Sequence, residues 1–413
     1  MLRDHDIVCL SITPWETTLP SSGHYLMREF ARHNRVLFVD HPLTLKDCWT
    51  FRKDPGSRDR LQRTVRKAPI LRRVPDAERE IWVLTPPPIL PNGLPGTLFD
   101  MGLAASATWV GRSIRQAMEA LDMKNVLFWV SFDVPLGTRL VGKLGERMVI
   151  YHCFDEIAAQ PYVSRHGTRL EPELMAKSEV VFTTSTTLQA SRGAMHPCCH
   201  YVPNGVDFAH YAKALDPHTM VPDDLAAIPG PIVGYLGNFE SRIDFELLEK
   251  LSAARPDWSL VLIGPSKGMY TQKLRALGRY PNVHVLGPRP ASQAPGYLKG
   301  FDAALIPFVR SEQTRAIYPL KLNEYLAAGR PVVMTPFAAL PEFEALCWVA
   351  EGVYDTVRAL EQALGAHSPE QVLARMELAK RNDWDERAQA MGRILVDRLI
   401  AQNAQMVSGG TSR

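Results

Sequence analysis

The sequence predicts an α/β protein of two doubly wound, Rossmann-like domains, and three observations predict it. The chain has 413 residues, too many for one ordinary domain, so two cores of about 200 residues each are expected. Short apolar runs alternate with stretches of helical period, the rhythm of a parallel sheet covered by helices. Between Asp207 and Pro231 that rhythm gives way to a proline-rich stretch, which marks a boundary.

Ile7–Ile12 reads as the first strand, followed by a polar loop from Thr13 to Gly23 and a helix over His24–His33. Arg35–Asp40 returns to strand. Phe99–Leu121 is a long helical stretch before the strand Asn125–Val130. Val149–Cys153 ends another strand, Glu173–Ser178 is helical, Val180–Ser185 is strand and Thr187–Arg192 opens a helix. No fixed-period repeat is present. The predicted organisation is a first domain over 1–210, a linker over 211–231, a second domain over 232–380, and a last helical segment over 381–413. In that segment Trp384, Ala388, Met391, Leu395 and Leu399 recur at helical spacing, before a tail expected to be disordered.

Composition excludes several classes. A net charge of +3 is too small to mark a nucleic-acid binder. The six cysteines contain no Cys-x2-Cys pair, and a reduced, cytoplasmic setting is the simplest expectation. Arg3, Asp4, His5 and Asp6 precede a short apolar run that reads as a strand, not a signal peptide. No stretch approaches the run of about 18 apolar residues that spans a bilayer.

The most informative stretch is Pro319–Val333. Pro319 suits a helix start and Gly329 a helix end, and Pro331–Met334 reads as a buried strand. Lys321 and Glu324 lie three apart near the helix N-terminus, which itself favours anions. A cation and a carboxylate placed there suit a nucleoside diphosphate: charge for the phosphates, and an acceptor for two ribose hydroxyls. The same spacing also fits an ordinary surface ion pair. Upstream, Phe301–Phe308 reads as a second buried strand, and the loop Val309–Tyr318 leaves its end, where such sheets bind ligands.

From Phe301 to Val333 the chain resembles the donor-sugar site of retaining, GT-B fold glycosyltransferases of family 4, in particular the bacterial branch that builds teichuronic acid and other surface polysaccharides. Val202–Asp207 resembles the loop that ends the first domain of these enzymes. Val233–Asn238 is similar to the first strand and glycine loop of the donor domain, and Val261–Pro265 and Val283–Gly287 to its next strands. The resemblance implies a GT-B fold, with two Rossmann-like domains facing a cleft and the last helix crossing back to the first domain. It implies a sugar transferase that retains anomeric configuration, with a UDP- or GDP-sugar donor, a glycan or lipid-linked acceptor, and no metal or other cofactor. The implied donor residues are Gly237, Arg242, Arg289, Thr314, Arg315, Lys321, Leu322 and Glu324. One departure stands out: many relatives carry Glu-x7-Glu, and here the first position is Ala316.

His152 and Asp155, at the predicted end of a strand, are the catalytic candidates, against a core histidine and a capping aspartate. Gly23 and His24 are candidates for acceptor or donor contact. Asp383-Trp384-Asp385 has the form of a metal motif but sits where a helix cap is expected, so no metal site is assigned. Segment 46–79 is basic and interspersed with apolar residues, which suits either an anionic membrane surface or a solvated loop. The protein is therefore expected in the cytoplasm, with peripheral contact at the inner face of the membrane. Two alternatives carry the same fold: a nucleotide-sugar epimerase, or an inactive binder marked by Ala316.

Overall fold

The computed structural model describes residues 1–17, 20–50, 61–62, 70–75, 79–91, 93–160 and 163–410. The chain forms two compact units, Met1–Pro203 together with the chain from Arg387 onward, and Asn204–Glu386.

In unit 1 the strands are β1 (Asp6–Ser11), β2 (Arg35–Asp40), β3 (Leu71–Arg73), β4 (Ile81–Leu84), β5 (Leu127–Ser131), β6 (Met148–Cys153), β7 (Val180–Thr183) and β8 (Cys199–Tyr201). Their order across the sheet is β3-β4-β2-β1-β5-β6-β7-β8, parallel except where β3 runs against β4. The helices are α1 (Ser22–Phe30), α2 (Leu45–Thr50), α3 (Gly96–Ala120), α4 (Val134–Leu140), α5 (Ser164–Ala176) and α6 (Thr186–Gly193). Central strands are buried on both faces, as in Leu127–Ser131, which is why they read as continuous apolar runs. The chain winds outward from β1 in one direction and from β5 in the other. The switch point, where such sheets open a crevice at their carboxyl ends, therefore lies between β1 and β5.

Unit 2 has strands β9 (Ile232–Leu236), β10 (Ser259–Ile263), β11 (Val283–Gly287), β12 (Ala303–Ile306), β13 (Val332–Met334) and β14 (Cys347–Val349) in the parallel order β11-β10-β9-β12-β13-β14. Its helices are α7 (Phe208–Tyr211), α8 (Asp223–Ala226), α9 (Phe245–Ala254), α10 (Met269–Leu277), α11 (Ala294–Lys299), α12 (Glu312–Arg315), α13 (Leu320–Ala327), α14 (Gly352–Leu364) and α15 (Pro369–Arg381). The switch point here lies between β9 and β12. Helix α16 (Trp384–Gly410) begins in unit 2, and from Arg387 it groups with unit 1.

Two boundaries differ from expectation. The first domain ends at Pro203, not at 210. Residues 211–231 are no linker: Tyr211, Ala214 and Leu225 belong to the core of unit 2. Leu225 packs so closely on α11 that a Cβ added to Gly300 would come within 2.5 Å of it. The prolines in this stretch shape turns, while its few apolar residues anchor it to a distant helix.

Candidate functional site

At the switch point of unit 2 the strand ends are held apart by one side chain. β9 and β12 pair only through Val233 with Ala303 and Gly234 with Ala304. Beyond that, both polar backbone groups of Leu236 go to the hydroxyl of Tyr325 on α13. It accepts from the Leu236 N–H at 2.9 Å and donates to the Leu236 carbonyl at 3.1 Å. The hydroxyl satisfies the backbone that a neighbouring strand would otherwise pair. The loops that follow are stacked by backbone bonds, Gly237 N–H to Ile263 O at 2.8 Å and Gly264 N–H to Gly287 O at 3.0 Å. Gly264 has φ +146°, and a Cβ there would lie 1.9 Å from the Gly237 carbonyl, so only glycine permits this approach.

Lys321 and Glu324 meet beside this loop. Lys321 Nζ lies 2.8 Å from Glu324 Oε2, with side chains 24% and 9% exposed. A Cβ at Gly237 would come within 3.2 Å of Lys321 Cε, so the lysine stem lies on the glycine loop. This is not an ordinary surface pair, since Glu324 is buried. The N-cap Pro319 provides no side-chain cap for α13, whose first N–H groups add to the positive potential.

The other predicted donor residues divide. Arg242, in the loop after β9, pairs with Glu240 and lies over the Phe308 ring at 5.8 Å. Its Nε is buried without a hydrogen-bond partner. Its carbonyl accepts from Val309 N–H at 2.8 Å, which joins the loops after β9 and β12. Arg315 is exposed at the end of α12. Thr314 requires correction: it is fully buried, and its hydroxyl donates to the Val309 carbonyl at 2.6 Å within a capping box with Ser311. It builds the turn. The Leu322 side chain is likewise core, and its N–H goes to Pro319 O at 3.2 Å. Arg289 follows β11, but its side chain is taken by Asp224 at 2.5 Å and Tyr297 at 2.6 Å, which leaves only its backbone for a ligand.

A buried amide network that sequence reasoning missed supports α13. Asn382 Nδ2 donates to Asn323 Oδ1 at 2.8 Å, and Asn204 Nδ2 donates to the Tyr318 carbonyl at 2.9 Å. Asn323 is fully buried between Lys321 and Glu324 in sequence. An asparagine on an otherwise apolar helix face was the available signal. Asp383 serves the same assembly: its carboxylate accepts from Phe208 N–H at 3.0 Å and from Asp385 N–H at 2.9 Å. Among the described residues no group of three or more His, Cys, Asp or Glu gathers to hold a metal.

The predicted catalytic pair in unit 1 takes enclosed and turn-forming positions. His152 lies within β6, fully buried, and neither ring nitrogen has a hydrogen-bond partner. Trp129 and Phe154 meet it edge-on at 5.7 and 5.6 Å. Burial lowers its pKa to about 3, so it stays neutral and enclosed. Asp155 accepts from Glu156 N–H at 2.9 Å with one oxygen and from Gln160 with the other, which shapes the turn after β6. Next to it, Glu156 Oε2 and Glu171 Oε2 bind Arg192 of α6 at 2.6 and 2.9 Å, and Tyr151 donates to Glu171 at 2.9 Å.

Gly23 and His24 are also structural. A Cβ at Gly23 would lie 2.6 Å from Ser131 Oγ, so glycine lets α1 reach β5. His24 is buried; its Nε2 lies 2.9 Å from the Pro14 carbonyl, which can only accept, so Nε2 carries the proton. Nδ1 then accepts from Ser21 N–H at 3.1 Å. Burial lowers its pKa to about 4.

These two histidines predict a pH dependence. Each folded pKa lies below the ordinary histidine value of 6.5. Their stability contribution is complete above pH 6.5 and is lost as pH falls towards 4 for His24 and 3 for His152, because only the unfolded chain accepts the proton. His152→Met should flatten the decline of Tm between pH 6.5 and 4, and should raise Tm at pH 7, since it removes an unsatisfied buried group costing about 1–3 kcal/mol. An unaltered slope in a pH series of melting curves would refute it.

Most of segment 46–79, the predicted membrane-contact segment, lies outside the described residues. Among the described residues no helix is long and apolar enough to cross a membrane.

A family model described as "Glycosyl transferases group 1" matches residues 230–365, within unit 2. A Bacillus subtilis (strain 168) protein named "Putative teichuronic acid biosynthesis glycosyltransferase TuaH" is 29% identical over 193 residues. That match covers 45% of this chain and 48% of the relative, so it spans about half the length of the curated protein. Sucrose-phosphate synthase from Thermosynechococcus elongatus superposes with a TM-score of 0.68 at 13% identity, over 96% of this chain and 100% of that one. The Anabaena protein HepE, solved in complex with UDP, gives 0.62 at 13% identity, over 95% and 100%. The chain has the GT-B fold, as its motifs implied, and resembles glycosyltransferases, among them the teichuronic acid protein.

Proposed function

We propose that this chain is a glycosyltransferase of surface-polysaccharide or glycoconjugate synthesis, which moves a sugar from a nucleotide-sugar donor held by unit 2 to a glycan or lipid-linked acceptor held by unit 1. The observation that carries the reading is the Lys321–Glu324 pair, lodged against the Gly237 loop at the switch point of unit 2. Glu324 would accept from the ribose hydroxyls. Lys321, Arg242 and the α13 N-terminus would neutralise the diphosphate. Breaking the sugar–phosphate bond builds negative charge on the leaving diphosphate, and fixed cations with amide dipoles stabilise that charge. These groups can act without a metal, and retention follows from the family resemblance. The HepE structure with UDP supports a uridine donor, with guanosine as the other candidate. We place the enzyme in the cytoplasm, with segment 46–79 against the anionic face of the membrane.

A thermal-shift panel of UDP, GDP, ADP and their sugar conjugates, with and without EDTA, tests the reading. One base should raise Tm, and EDTA should not diminish the rise, because a ligand of the native state stabilises it. Glu324→Ala should weaken that nucleotide about tenfold, near 1.4 kcal/mol, in line with a lost bond to a charged group. No shift with any nucleotide would remove the transferase reading, and unchanged affinity in Glu324→Ala would remove the ribose assignment.

A further inference from the structure

Helix α3 lines a cavity near the β3–β4 edge of the unit 1 sheet. Its volume is about 380 Å³, within the range of about 300–1,000 Å³ common for small-molecule sites. It lies beside β4, two strands out from β1 and the switch point. The crevice at the switch point itself, where His41 and Asp133 meet at 2.7 Å, is a separate space with no lining residue in common.

One wall is a single helix face. Trp109, Arg112, Ser113 and Gln116 of α3 stand at i, i+3, i+4 and i+7. The rest of the lining is Thr85 and Pro87, which follow β4, and Ile70, which precedes β3. Thr85 N–H bonds to the Ile70 carbonyl at 2.8 Å, and Leu90 N–H to Ser106 Oγ at 3.1 Å, so the run Pro86-Pro87-Pro88 is pinned at both ends. Three prolines in a row have little backbone freedom, and this wall is set before any ligand arrives.

The polar groups on that helix face are unused. Elsewhere on α3 such groups have partners: Ser106 accepts from Leu90, Thr108 donates to the Ala104 carbonyl at 2.9 Å, and Arg115 donates to the Lys143 carbonyl at 2.9 Å. Arg112, Ser113 and Gln116 have none among the described residues. Ser113 is the telling one. It is only 8% exposed, and a helical hydroxyl that deep ordinarily bonds back one turn, as Thr108 does. Its oxygen is not sealed in, however, and it opens on the cavity.

The lining defines what would fit. No acidic residue is among its described members, so the guanidinium of Arg112 leaves one positive charge to be met. A carboxylate meets it with two parallel bonds. Ser113 and Gln116 are neutral partners for hydroxyls. Trp109, whose ring is partly exposed, offers an apolar face together with Ile70 and Pro87. A sugar acid combines the three: one carboxylate, ring hydroxyls and a face of C–H groups. We propose that this face of α3 binds a free sugar acid, a hexuronate, with its carboxylate on Arg112, a hydroxyl on Ser113 and its ring on Trp109. The site stands independently of the transferase reading.

Saturation-transfer NMR titrations with glucuronate and galacturonate test it, with glucose as the uncharged control and acetate as the bare carboxylate. At least one uronate should bind the wild-type protein, well ahead of both controls. Arg112→Gln should weaken it about tenfold or more, the usual value of a bond to a charged group. Trp109→Ala should weaken it as well. Both side chains reach the surface, so both variants should keep the wild-type melting curve. Saturation with the nucleotide that raises Tm should leave uronate binding unchanged. The proposal is overturned by no uronate binding, by binding undiminished in either variant, by acetate binding as tightly as the uronate, or by displacement with the nucleotide. Uronate binding without any nucleotide binding would instead remove the transferase reading and leave this site standing.

Discussion

Replacing Lys321 by alanine is expected to lower turnover of the nucleotide-sugar donor by about 10²–10³-fold, or about 3–4 kcal/mol in the barrier, the usual cost of one fixed group that stabilises developing charge. The effect should be specific. The lysine side chain is 24% exposed and lies along Gly237, so its removal opens no core cavity. Glu324 loses its cation but keeps its place on α13. Affinity for a nucleoside without phosphates should therefore change little, while the preference for the nucleoside diphosphate over the nucleoside should largely vanish. Titration calorimetry with both ligands separates the two terms. A preserved preference would show that Lys321 is an ordinary ion-pair partner and that Arg242 or the backbone carries the diphosphate. Lys321→Arg keeps the charge, but its larger planar head must fit where the Gly237 loop comes within contact, so partial recovery is expected.

What was legible in the sequence follows from how local the signals are. Strands β12 and β13 are buried on both faces and bounded by glycine and proline, so Phe301–Phe308 and Pro331–Met334 could be read as they stand. Lys321 and Glu324 share one helix, and their pairing needed only its period. The catalytic reading of unit 1 required more. The strand end at Cys153 is legible in the sequence, but the side chains that cover His152 from Trp129 and Phe154 are not. In the folded chain β6 runs to Cys153 and encloses the imidazole. His41 and Asp133 are 92 residues apart and meet only because the sheet order brings the ends of β2 and β5 to one edge. No local pattern encodes that order. The stretch over 211–231 reads as a linker for a similar reason: its prolines are local, but the partners of Tyr211 and Leu225 are not.

Arg192→Met should destabilise unit 1 by about 3–5 kcal/mol, because the substitution strands carboxylates in a buried setting. Arg192 is 6% exposed at its side chain and Glu171 7%, with Glu156 at 22%. Burial pushes the Glu156 carboxyl up, but the hydrogen bonds from Arg192 outweigh it and hold the pKa below the usual carboxylate value. Stability from that bond is present above the unfolded carboxylate pKa and lost as pH falls through the folded one. Without the guanidinium the order reverses: Glu156 is costly when ionised, so the deficit of the variant should be greatest near pH 7 and shrink as acid neutralises that carboxylate. At pH 7 Tm should fall by about 10 °C, at the usual 2–4 °C per kcal/mol for a unit of this size. Adding Glu171→Leu should recover much of the loss, since an apolar replacement of a buried pair is often neutral. A deficit that is flat in pH, or a double variant no better than the single one, would mean that Arg192 acts by filling space. The network also holds the turn that carries Asp155 between β6, α5 and α6. Loss of the ion pair should therefore appear first as faster amide exchange over residues 154–160, ahead of global unfolding.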